Sequence, residues 1–266
     1  MKHLKIVALI CLVVLFGCSV KKNTPVSISR NELKILCYNI HHANPPSKPG
    51  LIDLDAIARV ITDSKADLVA LQEVENGAKR SGVVNQAKVL AEKTGLNYHF
   101  FKAIDYDGGD YGIAILSRYQ FKDVKLVPLP QKITAEKRVL GYMTIEIGKQ
   151  QFILANTHLD ATKTHENRNV QMEQILKEFE HSRLPVILCG DLNSVAGSDA
   201  INLLDKQFKR TCTENCGKTV PQINPRNTID YVATKNVKWP LLEHKVIEET
   251  YASDHRPVLA VFEMGK

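Results

Sequence analysis

The sequence predicts an α/β domain in which two sheets pack on each other with helices outside. Three observations predict it. Short apolar runs with period-2 alternation recur along the chain, interleaved with amphipathic segments of helical period. Several strand-like runs are separated by gaps of hairpin length, so the sheets must be mixed rather than purely parallel. About ten strands and three or four helices within 266 residues need more than one layer of sheet.

The elements follow in order. Leu33 to Ile40 reads as a strand. Asp53 can cap a helix running to Ser64, with Leu54, Ile57, Ala58 and Ile61 on one face. Asp67 to Val74 is the next strand. Gln86 to Thr94 is a helix that stops at Gly95, where a left-handed residue suits glycine. Strands follow at Asn97–Lys102, Gly112–Arg118, Arg138–Ile147 and Gln151–Leu159. Thr164 to His181 is a longer helix with Val170, Ile175, Leu176 and Phe179 inward. Val186–Cys189 is a buried strand and Asp199–Gln207 a short helix. Strands at Asp230–Thr234, Lys245–Glu248 and Val258–Glu263 close the chain. No internal repeat and no low-complexity stretch follows residue 30.

The first 18 residues do not belong to this domain. Met1–Lys5 is basic, and Ile6–Phe16 is an apolar run too short to span a bilayer, which needs about 20 residues. A basic start, a short apolar stretch and a small residue before the cut describe an export signal. Cys18 directly after Gly17 resembles the bacterial lipobox, in which that cysteine is lipidated. The organisation expected is therefore a signal over 1–18, a polar tether over 19–30 and one domain over 31–266. The body is expected outside the cytoplasm as a membrane-anchored lipoprotein, on the periplasmic or outer-membrane face, and as a monomer. The net charge of +6 falls to +4 without Lys2 and Lys5, a mild excess compatible with an anionic substrate. Of the remaining cysteines, Cys37 and Cys189 sit in apolar strands as buried thiols. Cys212 and Cys216 lie in a polar stretch, where an oxidising compartment favours a small disulfide over a metal pair lacking further ligands.

Chemistry is concentrated where apolar strands end. Alternation places Asn39 on the face of Ile35 and Cys37, Glu73 with Val69 and Leu71, His158 with Leu154 and Asn156, and Asp191 with Ile187 and Cys189. Singly, each has a structural explanation: a turn, a surface carboxylate, a satisfied core histidine. Together they put amides, carboxylates and an imidazole at the tips of four core strands. Unpaired buried carboxylates are costly, and several converging suggest a cation between them. Oxygen ligands in that number suit Mg²⁺ or Mn²⁺ better than Zn²⁺. His41, two residues past Asn39, falls on the same face by alternation and is a candidate for lining the substrate cleft.

The segments CYNI, ALQEV, YGIAILSR, ANTHLD, LCGDLNS, TIDYV and SDHRPV occur in that order between residues 33 and 262. In this the chain resembles the endonuclease/exonuclease/phosphatase superfamily, which includes deoxyribonucleases, abasic-site endonucleases, neutral sphingomyelinases, inositol-polyphosphate phosphatases and lipid remodellers of GPI anchors. The resemblance implies a four-layer α/β sandwich, two mixed and mostly antiparallel sheets packed face to face, with the site at one rim. It implies a metal held by Glu73 with Asn39 and Asp254. It implies that Asp191 aligns or deprotonates water and that Asn193 contacts phosphate or metal. His255 would face the scissile phosphate with Asp230 on its other nitrogen, His158 would be a second catalytic imidazole, and Arg138 would lie near the phosphate. Ile113 departs from the family, many of whose members have Asn there.

The resemblance and the strand tips together point to a metal-dependent phosphoesterase acting on a phosphodiester or phosphomonoester. The substrate classes open to it are a lipid headgroup, a small phosphodiester and a nucleic acid. A catalytically inactive binding module would show a gap among the carboxylates and imidazoles, and there is none. A secreted nuclease would call for a basic, aromatic-lined groove, and Lys132–Arg138 is basic but mixed.

Overall fold

The computed structural model describes residues 32–265; the expected signal, Cys18 and the tether lie outside them. The strands are β1 (Glu32–Asn39), β2 (Leu68–Asn76), β3 (Asn97–Tyr106), β4 (Gly109–Ser117), β5 (Phe121–Pro128), β6 (Val139–Ile147), β7 (Gln150–His158), β8 (Val186–Asp191), β9 (Lys209–Arg210), β10 (Asp230–Lys235), β11 (Leu241–Val246) and β12 (Val258–Glu263). The helices are α1 (Leu54–Ser64), α2 (Gln86–Thr94), α3 (Glu166–Phe179) and α4 (Asp199–Leu204). Among the described residues no helix is long and apolar enough to cross a membrane.

Two six-stranded sheets result, in the orders β11-β12-β1-β2-β4-β3 and β5-β6-β7-β8-β10-β9. Each has one parallel pair at its centre, β1 with β2 and β7 with β8, joined across α1 and α3. The other pairings are antiparallel. Strand alternation sorts side chains into separate apolar layers. Ile35, Cys37, Leu68 and Ile115 meet Leu154, Ile187 and Cys189 between the sheets. Leu36, Val69 and Leu71 face the other way, onto Ile57, Ile61 and Leu90 of α1 and α2. Ala155, Leu188 and Tyr231 pack under Met172, Ile175 and Phe179 of α3. The arrangement is the expected four-layer α/β sandwich. Burying each Ile or Leu fully contributes about 1.5–3 kcal/mol, which is what fixes α1 and α3 on the sheets.

The helix ends follow sequence chemistry. Asp53 accepts a hydrogen bond from the Ala56 amide at 2.9 Å, and Gly95 takes the left-handed conformation after α2. Helix α3 is less apolar than expected. Val170 is only half-buried, and the inward face of its first half is Asn167, Arg168 and Gln171. These side chains hold loops. Asn167 Oδ1 accepts from the Lys132 and Ile133 amides, Gln171 Oε1 accepts from the Asp160 amide, and Arg168 donates to the carbonyls of Asp160 and Thr162.

The two-residue edge strand β9 has no counterpart among the strands expected from sequence, and two further edge strands escape the pattern in whole or in part. β5 is exposed at most positions, and β11 starts at Leu241 rather than Lys245, with a register shift between Leu241 and Glu243. Neither buries one whole face, so neither shows period-2 alternation. The Cys212–Cys216 disulfide is present, and Cys37 and Cys189 are free and buried.

Candidate active site

The two central parallel pairs end at the same rim of the sandwich. In the second sheet, His158 of β7 pairs in register with Asp191 of β8, which pairs with Asp230 of β10. Gly190 makes this close approach possible, since a Cβ there would lie 2.5 Å from the Thr157 carbonyl oxygen. In the first sheet, Asn39 of β1 pairs with Gln72 of β2. Asn39 joins the two halves: its Nδ2 donates to Glu73 Oε1 and to Asp191 Oδ2, both at 3.0 Å, and its Oδ1 accepts from the His41 amide.

Glu73 reaches this place by a different route from the one alternation suggests. Val69 and Leu71 share a face, but that face points to the helices. The β2–β4 register shifts between Leu71 and Val74, and Glu73 has φ +57°. A left-handed residue in a strand marks a bulge that re-aims the side chain. Gln72 sits behind it, fully buried, and its Nε2 donates to Asn156 Oδ1 at 2.7 Å across the sheets. Asn156 Nδ2 in turn donates to the carbonyls of Leu71 and Ala114. This amide bridge backs the bulge from the opposite sheet.

His255, just before β12, directs Nδ1 to Asp230 Oδ2 at 2.9 Å and Nε2 toward Asp191 Oδ2 at 3.8 Å. Burial opposes its charged form, but Asp230, Asp191 and Asp254 outweigh that and raise its pKa to about 10. Burial and the Asp230 charge push Asp191 up to about 7. Glu73 moves the other way: burial would raise it, but His42, His158 and Asn39 hold it well below the usual carboxylate range.

His158 differs from His255. Arg138 Nη1 lies 3.0 Å from its Nδ1, and a guanidinium can only donate. The ring is therefore neutral, with its proton on Nε2, 3.5 Å from Asp191 Oδ2. Burial and the Arg138 charge lower its pKa well below the ordinary histidine value. Asn193 Nδ2 lies 3.1 Å from the same Nε2, but as both atoms carry hydrogen the two do not bond; Nδ2 donates to the Leu159 carbonyl, and the Asn193 backbone amide donates to Asp191 Oδ1.

Asn39, Glu73, His158, Asp191, Asn193, Asp230 and His255 thus converge. Three assigned residues stand differently. Arg138 Nη1 contacts His158 and Glu136, so it backs the histidine from behind the site. His41 turns its Nδ1 to the Asn44 carbonyl at 2.8 Å, because the chain leaves the strand there with three successive left-handed residues, His41, His42 and Ala43. Alternation does not extend through such a turn, and His42 is the residue brought beside Glu73, Nδ1 to Oε2 at 4.0 Å. The Asp254 carboxylate contacts Ser253 Oγ, and among the described residues no hydrogen bond links it to Asn39 or Glu73. Ile113 is buried between the sheets, so the family's polar contact there is replaced by core packing.

The donor set fits a divalent cation. Glu73 and Asp191 share the Asn39 amide; Asp191, Asp230 and His255 also have donor atoms within 4.8 Å of one another, but the charged His255 ring, bound to Asp230 through Nδ1, offers no lone pair there. Burial with like charge is what raises Asp191, and a cation placed there would reverse it.

Acidic and imidazole groups gathered at the rim of such a sandwich define the class of phosphate-ester hydrolases. Residues 36–255 match the Endonuclease/Exonuclease/phosphatase family, and the chain belongs to it. The family hydrolyses phosphate esters and is dependent on divalent metal. No curated protein matches the chain by sequence. Among solved structures, an endonuclease/exonuclease/phosphatase from Beutenbergia cavernae DSM 12333 is 22% identical with TM-score 0.71, covering 89% of this chain and 72% of that one. The human Nocturnin catalytic domain with bound sulfate is 18% identical with TM-score 0.71, covering 89% and 96%. A mannosyl-6-phosphatase from Bacteroides thetaiotaomicron VPI-5482 is 18% identical with TM-score 0.67, covering 86% and 98%. At these identities the likeness is one of fold.

Proposed function

We propose that the chain is an exported, lipid-anchored phosphoesterase dependent on Mg²⁺ or Mn²⁺, hydrolysing a phosphodiester or phosphomonoester by attack of water. The observation that supports the catalytic part of this reading is the bridging of Glu73 and Asp191, from different sheets, by the Asn39 amide; the anchoring rests on the basic and apolar start that ends in Gly17-Cys18. Glu73 and Asn39 would hold the cation, with Asp254 as the further carboxylate that the family motif assigns. When bound, the cation would neutralise charge on the phosphoryl oxygens. Asp191, fixed by Asn39 and the Asn193 amide, orients water and takes its proton. His255, held by Asp230 at Nδ1, presents Nε2–H to the phosphate or the leaving oxygen. His158, kept neutral by Arg138, offers Nε2–H as a fixed hydrogen-bond donor. Asn193 supplies a second donor beside it.

The test is a panel of nucleic acid, phospholipid, sphingolipid and inositol-phosphate substrates, with and without Mg²⁺ or Mn²⁺. Turnover of one class, abolished by EDTA, is expected. No turnover of any ester with either metal would favour a binding module. The body is proposed to act as a monomer held through Cys18, so labelled fatty acid should enter the wild type and not Cys18→Ala.

A further inference from the structure

The strands that carry the site all have a second end. Glu32, Leu68, Gln150, Val186, Lys235 and Glu263 lie there, as the pairings Glu32↔Glu263 and Lys235↔Val186 require. The sheets meet at this pole, where Gln150 Nε2 donates to the Gly265 carbonyl. From Glu32 to Asn39 the strand spans about 23 Å, so this pole and the site are on opposite ends.

A groove of about 610 Å³ opens at this pole between the start of β7, the loop before β8 and the segment joining β10 to β11. Its lining includes Arg183, Lys238, Trp239 and the amides Gln150, Gln151 and Asn236, and no carboxylate. Arg183 and Lys238 are exposed and make no ion pair among the described residues, and Lys149 stands exposed on the adjoining hairpin. The indole of Trp239 is half-buried, packed edge-on against Phe152 at 5.1 Å. Past Pro240, Leu241 and Leu242 are 40% and 51% exposed. Of the acids nearby, Glu32 pairs with Lys34 and Glu243 lies further along β11, while Glu263, whose amide donates to the Pro240 carbonyl, stands exposed outside the groove lining. Cations around a polar groove, a half-buried indole and adjacent exposed leucines are the combination that suits a membrane interface.

The occupant follows from where the chain enters. The described body begins at Glu32, on this pole, and the twelve residues 19–30 reach at most about 40 Å fully extended. A bilayer holding Cys18 is therefore within reach of this face. We propose that the groove of Arg183, Lys238 and Trp239 binds an anionic phospholipid headgroup of that bilayer, with Leu241 and Leu242 seated at its interface. The body then stands on the membrane with its catalytic rim turned away from it. This inference rests on the proposed anchoring.

Trp239 is the only tryptophan of the chain, so its emission reports on this groove alone. The full chain is mixed with vesicles of phosphatidylcholine, or of phosphatidylcholine and phosphatidylglycerol, with brominated acyl chains. Quenching of Trp239 is expected on the anionic vesicles and little on the zwitterionic ones. The double variant Arg183→Gln, Lys238→Gln should weaken that association about 30-fold, at roughly fivefold per cation near an anionic surface. Its turnover of a soluble phosphoester should equal the wild type's. Sedimentation with both kinds of vesicle but no quenching would overturn the headgroup site and leave the anchor standing. Equal quenching on both would overturn the requirement for anionic charge. Quenching on anionic vesicles without fatty-acid labelling at Cys18 would sustain the groove and remove the anchor.

Discussion

The two central strand pairs, β1–α1–β2 and β7–α3–β8, occupy the same places in their sheets and end at the same rim, yet they deliver their residues differently. In the second, His158 and Asp191 are neighbours in register, placed by regular alternation with Gly190 allowing the close approach. In the first, Asn39 is opposite Gln72, and Glu73 comes inward through a bulge at φ +57°. The regular half is closed: the side chains of His158 and Asp191 are 5% and 2% exposed, against 21% for Glu73. The difference teaches that a buried acid–base pair can be built on plain strand geometry. An open carboxylate at the same rim needs an irregular backbone and a brace behind it.

The largest effect that sharpens this comparison is expected from His158, in the closed half, and from His255, which approaches the same Asp191 from beside β12 of the first sheet. His158→Ala and His255→Ala should each lower turnover by about 10²- to 10⁴-fold, the scale of a positioned acid or base. The double variant should cost much less than the product of the two, because groups acting as a unit are not additive. A His158→Ala protein with a lowered Tm and unchanged turnover per folded molecule would make that residue structural. Asp230→Asn should be milder, about 10- to 100-fold, because it misorients the His255 ring without removing it.

The brace is tested by Gln72→Ala. It leaves Asn156 Oδ1 without its buried donor, a loss of about 1–3 kcal/mol. For a chain of this size that is a Tm decrease of roughly 2–4 °C for each kcal/mol. Glu73 should lose its placement while His158 and Asp191 keep theirs, so the metal concentration needed for half-maximal turnover should rise. Unchanged metal dependence in a folded Gln72→Ala protein would break the proposed link between brace and bulge.

The smallest effect concerns pH without metal. His255 titrates at about 10 in the fold, against about 6.5 unfolded. A raised pKa gives stability that is complete below about 6.5 and is lost as pH rises to 10. In EDTA, the wild-type Tm should therefore fall more between pH 7 and 10 than that of Asp230→Asn. Parallel curves would contradict the assignment of the charged pair.

What the sequence made legible divides along the same line. Where one face of a strand is buried and the backbone is regular, the pattern gave position and direction, as for Asn39, His158, Asp191 and the helices α1 and α2. The sequence shows Glu73 at a strand end but not the direction of its side chain, because a bulge at φ +57° breaks the alternation. Alternation points to His41 and not to His42, since three successive left-handed residues cannot be read from a period. Gln72 and Asn156 signalled themselves as amides inside apolar strands, and their pairing depends on how the two sheets stack. Arg138 was visible as a nearby cation, while its hold on His158 Nδ1 is set by tertiary packing. β5 and β11 were obscured because edge strands expose both faces.

The central claim is that both halves serve one centre, and the most direct test is turnover against Mg²⁺ concentration for wild type, Glu73→Gln, Asp191→Asn and the double variant after EDTA treatment. The account predicts no turnover in EDTA, recovery with Mg²⁺, large losses in both single variants, and a double variant little worse than the poorer single. Wild-type turnover in chelator, or single losses that multiply fully in the double variant, would contradict it.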